Sequence, residues 1–154
     1  HDFGETKVII PDGAFVILHR EKGKALLFFV EVDMGTEILV SRKGKANDIG
    51  HKILYYQELY ENGRYKLLEE RFDTKFQGFR LLFVADSAAR VGALCRFIHA
   101  QQNVDFIWLT DQYQMFDHGL SSNIWVRGGK YENPRQSILG PDLSAESPVL
   151  SNIR

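Results

Sequence analysis

Apolar and polar residues alternate along the chain in two kinds of pattern, one typical of strands and one of helices. Short, nearly continuous apolar runs favour strands that are buried on both faces. The runs and extended stretches that we interpret as strands are 8–10, 14–19, 24–33, 79–85, 105–110 and 124–126. The polar segment around Gly23 separates the second from the third of these, which predicts a hairpin between them.

Two segments have helical periodicity instead. In the segment 47–62, apolar residues recur at steps of three and four, with Asn47 as the predicted N-cap and Asn62-Gly63 as the stop. Lys52 lies at the edge of the stripe that contains Tyr56, so its stem can pack while its ammonium group extends toward the sheet. Asp86-Ser87 caps a second helix that runs to about residue 101. Strand, helix and strand over 79–110 predict a right-handed crossover with parallel strands.

The net charge, the single cysteine and the short apolar runs exclude several classes of protein. The 154 residues carry a formal net charge of −1, so no global charge argues for nucleic acid. The single cysteine, Cys95, excludes an internal disulfide and a cysteine zinc cluster, and its place in the second helix predicts a small buried residue. No apolar run is long enough to span a membrane, and we expect a cytoplasmic α/β domain over 1–133 with no membrane partner. Periodicity ends at Pro134, so 134–154 is predicted as an extended or disordered tail.

Three acidic residues, Asp12, Glu31 and Asp33, are the candidates for a functional site. Asp12 follows Pro11 at a sharp break, and Glu31 and Asp33 end the most apolar strand, on one face of it because side chains alternate along a strand. Carboxylates at the mouth of a buried sheet are costly unless they are paired or hold a metal, so we predict a metal site. The alternative is a turn at Asp12 and a solvated strand end that pairs with Arg42 or Lys43.

The same residues support a resemblance to a known family. Pro11-Asp12-Gly13, then Glu31-Val32-Asp33-Met34-Gly35-Thr36, then Lys52 followed by Tyr56, then Leu82-Phe83-Val84 with Arg90 resemble the plasmid replication-relaxation family of the PD-(D/E)XK nuclease-like superfamily. The resemblance covers about residues 8–110. It implies a restriction-endonuclease-like mixed sheet flanked by helices, and a site in which Mg²⁺ or Mn²⁺ is bound by Asp12, Glu31 and Asp33. Asp12, Glu31, Asp33 and Lys52 are then the catalytic residues, in the hydrolysis of a DNA phosphodiester.

One position departs from the superfamily pattern. Asp33 stands where a lysine is expected. Either Asp33 is a third acidic ligand and Lys52 supplies the positive charge from the helix, or the site has lost its catalytic cation. Whether the domain is an enzyme is therefore left open.

The predicted partners follow from the resemblance and from the basic loops. Arg42, Lys43 and Lys45 flank the acidic strand and are expected to contact the phosphate backbone of DNA, and Tyr56 is grouped with them as nucleic-acid-binding. A solvated loop explains the same charges equally well. The resemblance implies bacterial plasmid or mobile-element replication, replication proteins as further partners, and an N-terminal winged-helix domain outside this chain. The second function that we consider is a non-catalytic module of the same fold, which binds DNA or a replication partner.

Overall fold

A computed structural model describes residues 9–19, 21, 23–35 and 48–140. The strands are β1 (Gly13–His19), β2 (Lys24–Asp33), β3 (Phe79–Ala85), β4 (Ile107–Asp111) and β5 (Val126–Arg127). The helices are α1 (Ile49–Glu61), α2 (Leu68–Phe72), α3 (Ala88–His99) and α4 (Gln112–His118), with a 3₁₀ helix over Arg64–Leu67. The architecture is mixed α/β.

The strands form one open five-stranded sheet in the order β1-β2-β3-β4-β5. β2, β3 and β4 are parallel, and β1 and β5 pair antiparallel at the two edges. The predicted hairpin and the predicted parallel pairing across 79–110 are both confirmed. Because the parallel strands end together, Asp33, Ala85 and Asp111 lie in register at one end of the sheet.

The sheet separates two apolar clusters, and β2 contributes to both. Leu27 and Phe29 point to the face covered by α1 and α3, where Cys95 is buried as predicted. Phe28 points to the opposite face, which Trp125 and Leu139 help to cover. The middle of β2, from Leu27 to Phe29, is therefore buried on both faces, as its nearly continuous apolar sequence predicts, whereas Val32 near its carboxyl end is 44% exposed.

Several predicted elements differ from the structure at their ends. Ile9 and Ile10 are outside any strand, and Ile10 is 82% exposed. The cap of α1 is Asp48, whose carboxylate accepts a hydrogen bond from the His51 N–H; Asn47 lies outside the described residues. The edge strand begins at Val126 rather than at residue 124.

The described part of the predicted tail, 134–140, packs against the sheet. Trp125 and Gln136 form an antiparallel bridge, and Ile138 and Leu139 are buried in the second cluster. These contacts extend the packed body to at least Leu139, beyond the predicted boundary at 133. In the ranges that the structure describes, no helix is long and apolar enough to cross a membrane.

Candidate functional site

The candidate site lies at the carboxyl end of β2, under the first turns of α1 and α3. Glu31 and Asp33 are 2% and 1% exposed, and both point toward the helices, which confirms that they share one face of the strand. Two carboxylates in such a place need partners, because burial of an unpaired charge is costly. Each finds its partner on a different helix.

Glu31 is held by α1. The Lys52 ammonium Nζ lies 3.2 Å from Glu31 Oε1, and the Tyr56 hydroxyl donates a hydrogen bond of 2.5 Å to Oε2. Residues four apart lie on the same side of a helix, so one helix face supplies a cation and a hydroxyl to the two oxygens of one carboxylate. Lys52 thus reaches the site from the helix edge, as its position in the sequence predicts.

The protonation of Glu31 reflects opposing effects. Burial raises the pKa of Glu31, and the nearby Asp12 charge raises it further, whereas the Tyr56 hydrogen bond and Lys52 lower it. The net effect is that the pKa of Glu31 is raised above its ordinary value. Burial also raises the pKa of Tyr56, as does its bond to Glu31, so the phenol stays protonated and acts as a donor.

Asp12 lies beside Glu31 at the end of the hairpin. Its N–H donates to the Val30 carbonyl (2.9 Å), and its Oδ2 accepts from the Val32 N–H (2.8 Å). The two bonds bracket Glu31 on either side, so Asp12 fixes the backbone where β1 begins. Asp12 is exposed, in contrast to Glu31.

Asp33, predicted as a third metal ligand, has Arg90 as its partner. The Arg90 Nε donates to Asp33 Oδ2 at 2.6 Å and Nη2 lies 3.3 Å from Oδ1, a two-point ion pair. Within residues 9–19, 21, 23–35 and 48–140, no three His, Cys, Asp or Glu side chains form a group that could hold a metal ion. The predicted metal site of all three acids is therefore not seen among these residues: Asp33 is paired with Arg90, and Asp12 and Glu31 are neighbours.

Arg90 contributes to the family resemblance but is not among the predicted site residues, although the sequence contains a signal for its position. The Ser87 side chain caps α3 by accepting from the Arg90 N–H, which fixes Arg90 in the first turn. That turn follows directly from β3, whose last residue, Ala85, is in register with Asp33. A cation in the first turn of a capped helix is therefore placed beside the end of the neighbouring parallel strand.

The predicted nucleic-acid-binding residues have a mixed outcome. Tyr56 is 0% exposed and lies in the apolar cluster, so its ring cannot contact DNA in this arrangement. Its periodic place in the apolar stripe explains the burial. Arg42, Lys43 and Lys45 lie outside the described residues, and their role stays a prediction.

Asp12 and Glu31 carry carboxylate oxygens, the type of donor that hard divalent cations prefer. Magnesium is bound through oxygen, with one or two protein carboxylates and several waters, so a third acid is not required. A carboxylate has about four lone-pair positions, and Glu31 uses one on each oxygen for Lys52 and Tyr56. Lone pairs thus remain on both oxygens for a metal.

No protein-family model, no curated protein and no solved structure matches this chain.

Proposed function

We propose that this chain is a metal-dependent DNA nuclease-like domain with a restriction-endonuclease-like fold, acting in plasmid or mobile-element replication. One observation carries the proposal: Lys52 Nζ lies 3.2 Å from the buried Glu31 carboxylate, next to Asp12. Two neighbouring carboxylates and one lysine, at the open end of a mixed sheet, are the groups that hydrolysis of a phosphodiester requires. The sequence likeness to the replication-relaxation family supplies the biological setting.

Each residue has a separate task in this proposal. Asp12 and Glu31 would hold Mg²⁺ or Mn²⁺, which when bound polarises a phosphate and lowers the pKa of an attacking water. The Lys52 ammonium stabilises negative charge that develops on the phosphate. Tyr56 fixes the orientation of Glu31, and the positive charge of Arg90 compensates the negative charge of Asp33.

A plasmid-nicking assay tests this function. We expect supercoiled DNA to be nicked with Mg²⁺ or Mn²⁺ and not with EDTA, and we expect Glu31→Gln and Lys52→Gln to lower the rate at least about 100-fold. Lys130→Gln is the matched control, because Lys130 is a half-exposed lysine paired with an exposed carboxylate away from the site. Nicking by Glu31→Gln at the wild-type rate would contradict the assignment.

A second candidate is a non-catalytic module that binds DNA or a replication protein. The observation in its favour is that both oxygens of Glu31 and both oxygens of Asp33 already have partners within the protein. A domain of this kind should bind DNA equally well with EDTA and with Mn²⁺, and should release no nicked product. The same assay therefore separates the two candidates.

A further inference from the structure

A groove lies at the opposite end of the sheet from Glu31. It has a volume of about 480 Å³, within the range of small-ligand sites. The amino ends of the parallel strands form its floor, with Lys24 from β2, Arg80 from β3 and Phe106 just before β4. Trp108 and Arg127 line it further along.

The groove contains more positive charge than the neighbouring residues neutralise. Among the residues that the structure describes, its lining contains four cations, Lys24, Lys75, Arg80 and Arg127, and one acid, Asp105. Asp105 Oδ1 lies 3.4 Å from Lys130 Nζ, and Lys75 Nζ lies 3.6 Å from Glu69 Oε1. Asp105 and Lys75 are therefore each paired with a residue outside the groove. Lys24, Arg80 and Arg127 have no carboxylate within ion-pair distance in the part of the chain that the structure describes.

Two of these cations share one aromatic ring. The guanidinium carbons of Arg80 and Arg127 lie 4.8 and 5.2 Å from the centre of the Trp108 ring. Trp108 and Arg127 are paired residues of β4 and β5, and Arg80 lies on the neighbouring strand β3. The two guanidinium groups therefore lie near the same ring and repel each other. An anion bound beside them would offset this repulsion.

The backbone fixes both side chains while leaving donors available. Arg80 Nη1 donates to the Ile138 carbonyl, and Arg127 Nε donates to the Asp105 carbonyl at 3.0 Å. A guanidinium has five N–H donors, so each arginine keeps others for a ligand. Burial lowers the pKa of Arg80, as does the charge of Arg127, which is the effect expected of a cation that lacks an anionic partner.

We propose that this groove binds the phosphate groups of a nucleotide, either free or within a nucleic-acid strand. Arginine pairs bind phosphate through parallel N–H donors. Tyr60 and Phe106 in the lining give a base an aromatic surface on which to stack. The proposal does not depend on Glu31, because the two sites occupy opposite ends of β2.

The test is calorimetric titration with inorganic pyrophosphate in EDTA, which keeps the Glu31 site free of metal. We expect saturable binding that weakens at least tenfold in Arg127→Gln and several-fold in Lys24→Gln. Arg127 and Lys24 are both exposed, so neither change should unfold the domain. Arg135→Gln is the matched control, since Arg135 also lies over an aromatic ring, 4.7 Å from the centre of Tyr131, but outside the groove.

Two further ligands identify the source of the phosphate. Tighter binding of ADP than of pyrophosphate, lost in Arg127→Gln, indicates a free nucleotide. Tighter binding of a short single-stranded oligonucleotide, with the same dependence on Arg127, indicates a nucleic-acid strand. Absence of saturable pyrophosphate binding, or equal binding by Arg127→Gln and wild type, would overturn the proposal.

Discussion

Two opposing effects act on the ionisation of the buried Glu31 side chain. Its burial favours the neutral carboxyl, whereas Lys52 and Tyr56 favour the carboxylate. The upward pKa shift shows that burial is the stronger effect. Ionised Glu31 therefore opposes folding at neutral pH, and a bound cation would relieve that cost.

This conflict predicts a pH-dependent stability. With a folded-state pKa above the unfolded value of about 4.3, Glu31 stabilises the fold below that pH and loses this contribution as pH rises through the folded pKa. The free energy of unfolding of Glu31→Gln, minus that of wild type, should therefore increase from pH 4 to pH 8. Urea unfolding at each pH measures it, with Glu58→Gln as the control, because Glu58 is exposed on the same helix. A difference that decreases with pH would mean that Lys52 and Tyr56 outweigh burial.

The Asp33–Arg90 pair should contribute more to stability than an exposed pair. Arg90 is 16% exposed and Asp33 1%, so Asp33→Asn removes one charge of a largely buried ion pair, at a cost of about 3 kcal/mol. Asp105→Asn breaks a pair whose side chains are 48% and 66% exposed, and it should cost less than about 1 kcal/mol. Unfolding in urea compares the two variants. Equal losses would show that the buried pair has no special structural role.

At the scale of elements, the N-cap of α3 positions Arg90. The Ser87 side chain accepts from the Arg90 N–H at 3.1 Å, so Ser87→Ala should destabilise the domain by about 1 kcal/mol. Ser121→Ala, at an exposed loop position, is the control and should change little. The urea concentration at the midpoint of unfolding measures the stability of both variants. A Ser87→Ala protein as stable as the control would show that the cap does not hold this turn.

The strands and the two long helices could be predicted from the sequence, whereas the short helices could not. β3 matches the predicted 79–85, and α1 and α3 differ from prediction by at most two residues at their ends. The missed helices, α2 and α4, have 5 and 7 residues, too few for two turns of an apolar stripe. At the site, alternation along β2 placed Glu31 and Asp33 on one face, and helical spacing placed Lys52 near it. The Asp33–Arg90 pair could not be deduced, because it depends on how α3 packs across two strands.

At the scale of the whole molecule, the two ends of the sheet carry side chains of opposite charge. The carboxyl ends of the parallel strands hold Glu31 and Asp33, and the amino ends hold Lys24 and Arg80. The net charge of −1 conceals this division, because opposite charges cancel in the sum. A local patch, rather than overall charge, must therefore guide any nucleic acid to this domain.

The basic residues between β2 and α1 give a prediction about DNA. If Arg42, Lys43 and Lys45 contact phosphates, replacing all three with glutamine should weaken DNA binding and lower the salt slope by about 0.9 for each lost contact on a duplex. Sequence preference should not change, since phosphate contacts carry no base information. The control replaces Arg64, Lys66 and Arg71, three exposed cations, with glutamine. Identical salt slopes for both triple variants would show that the first three residues are only solvated.

The central claim is that Asp12 and Glu31 bind a divalent cation, and calorimetric titration with Mn²⁺ tests it most directly. Asp12→Asn is the decisive variant, because an asparagine oxygen can still accept from the Val32 N–H while the charge is lost. We expect wild type to bind one Mn²⁺, Asp12→Asn to bind none at millimolar metal, and Asp33→Asn to retain binding because Asp33 is paired with Arg90. No heat of binding in wild type, or equal binding by wild type and Asp12→Asn, would contradict the claim.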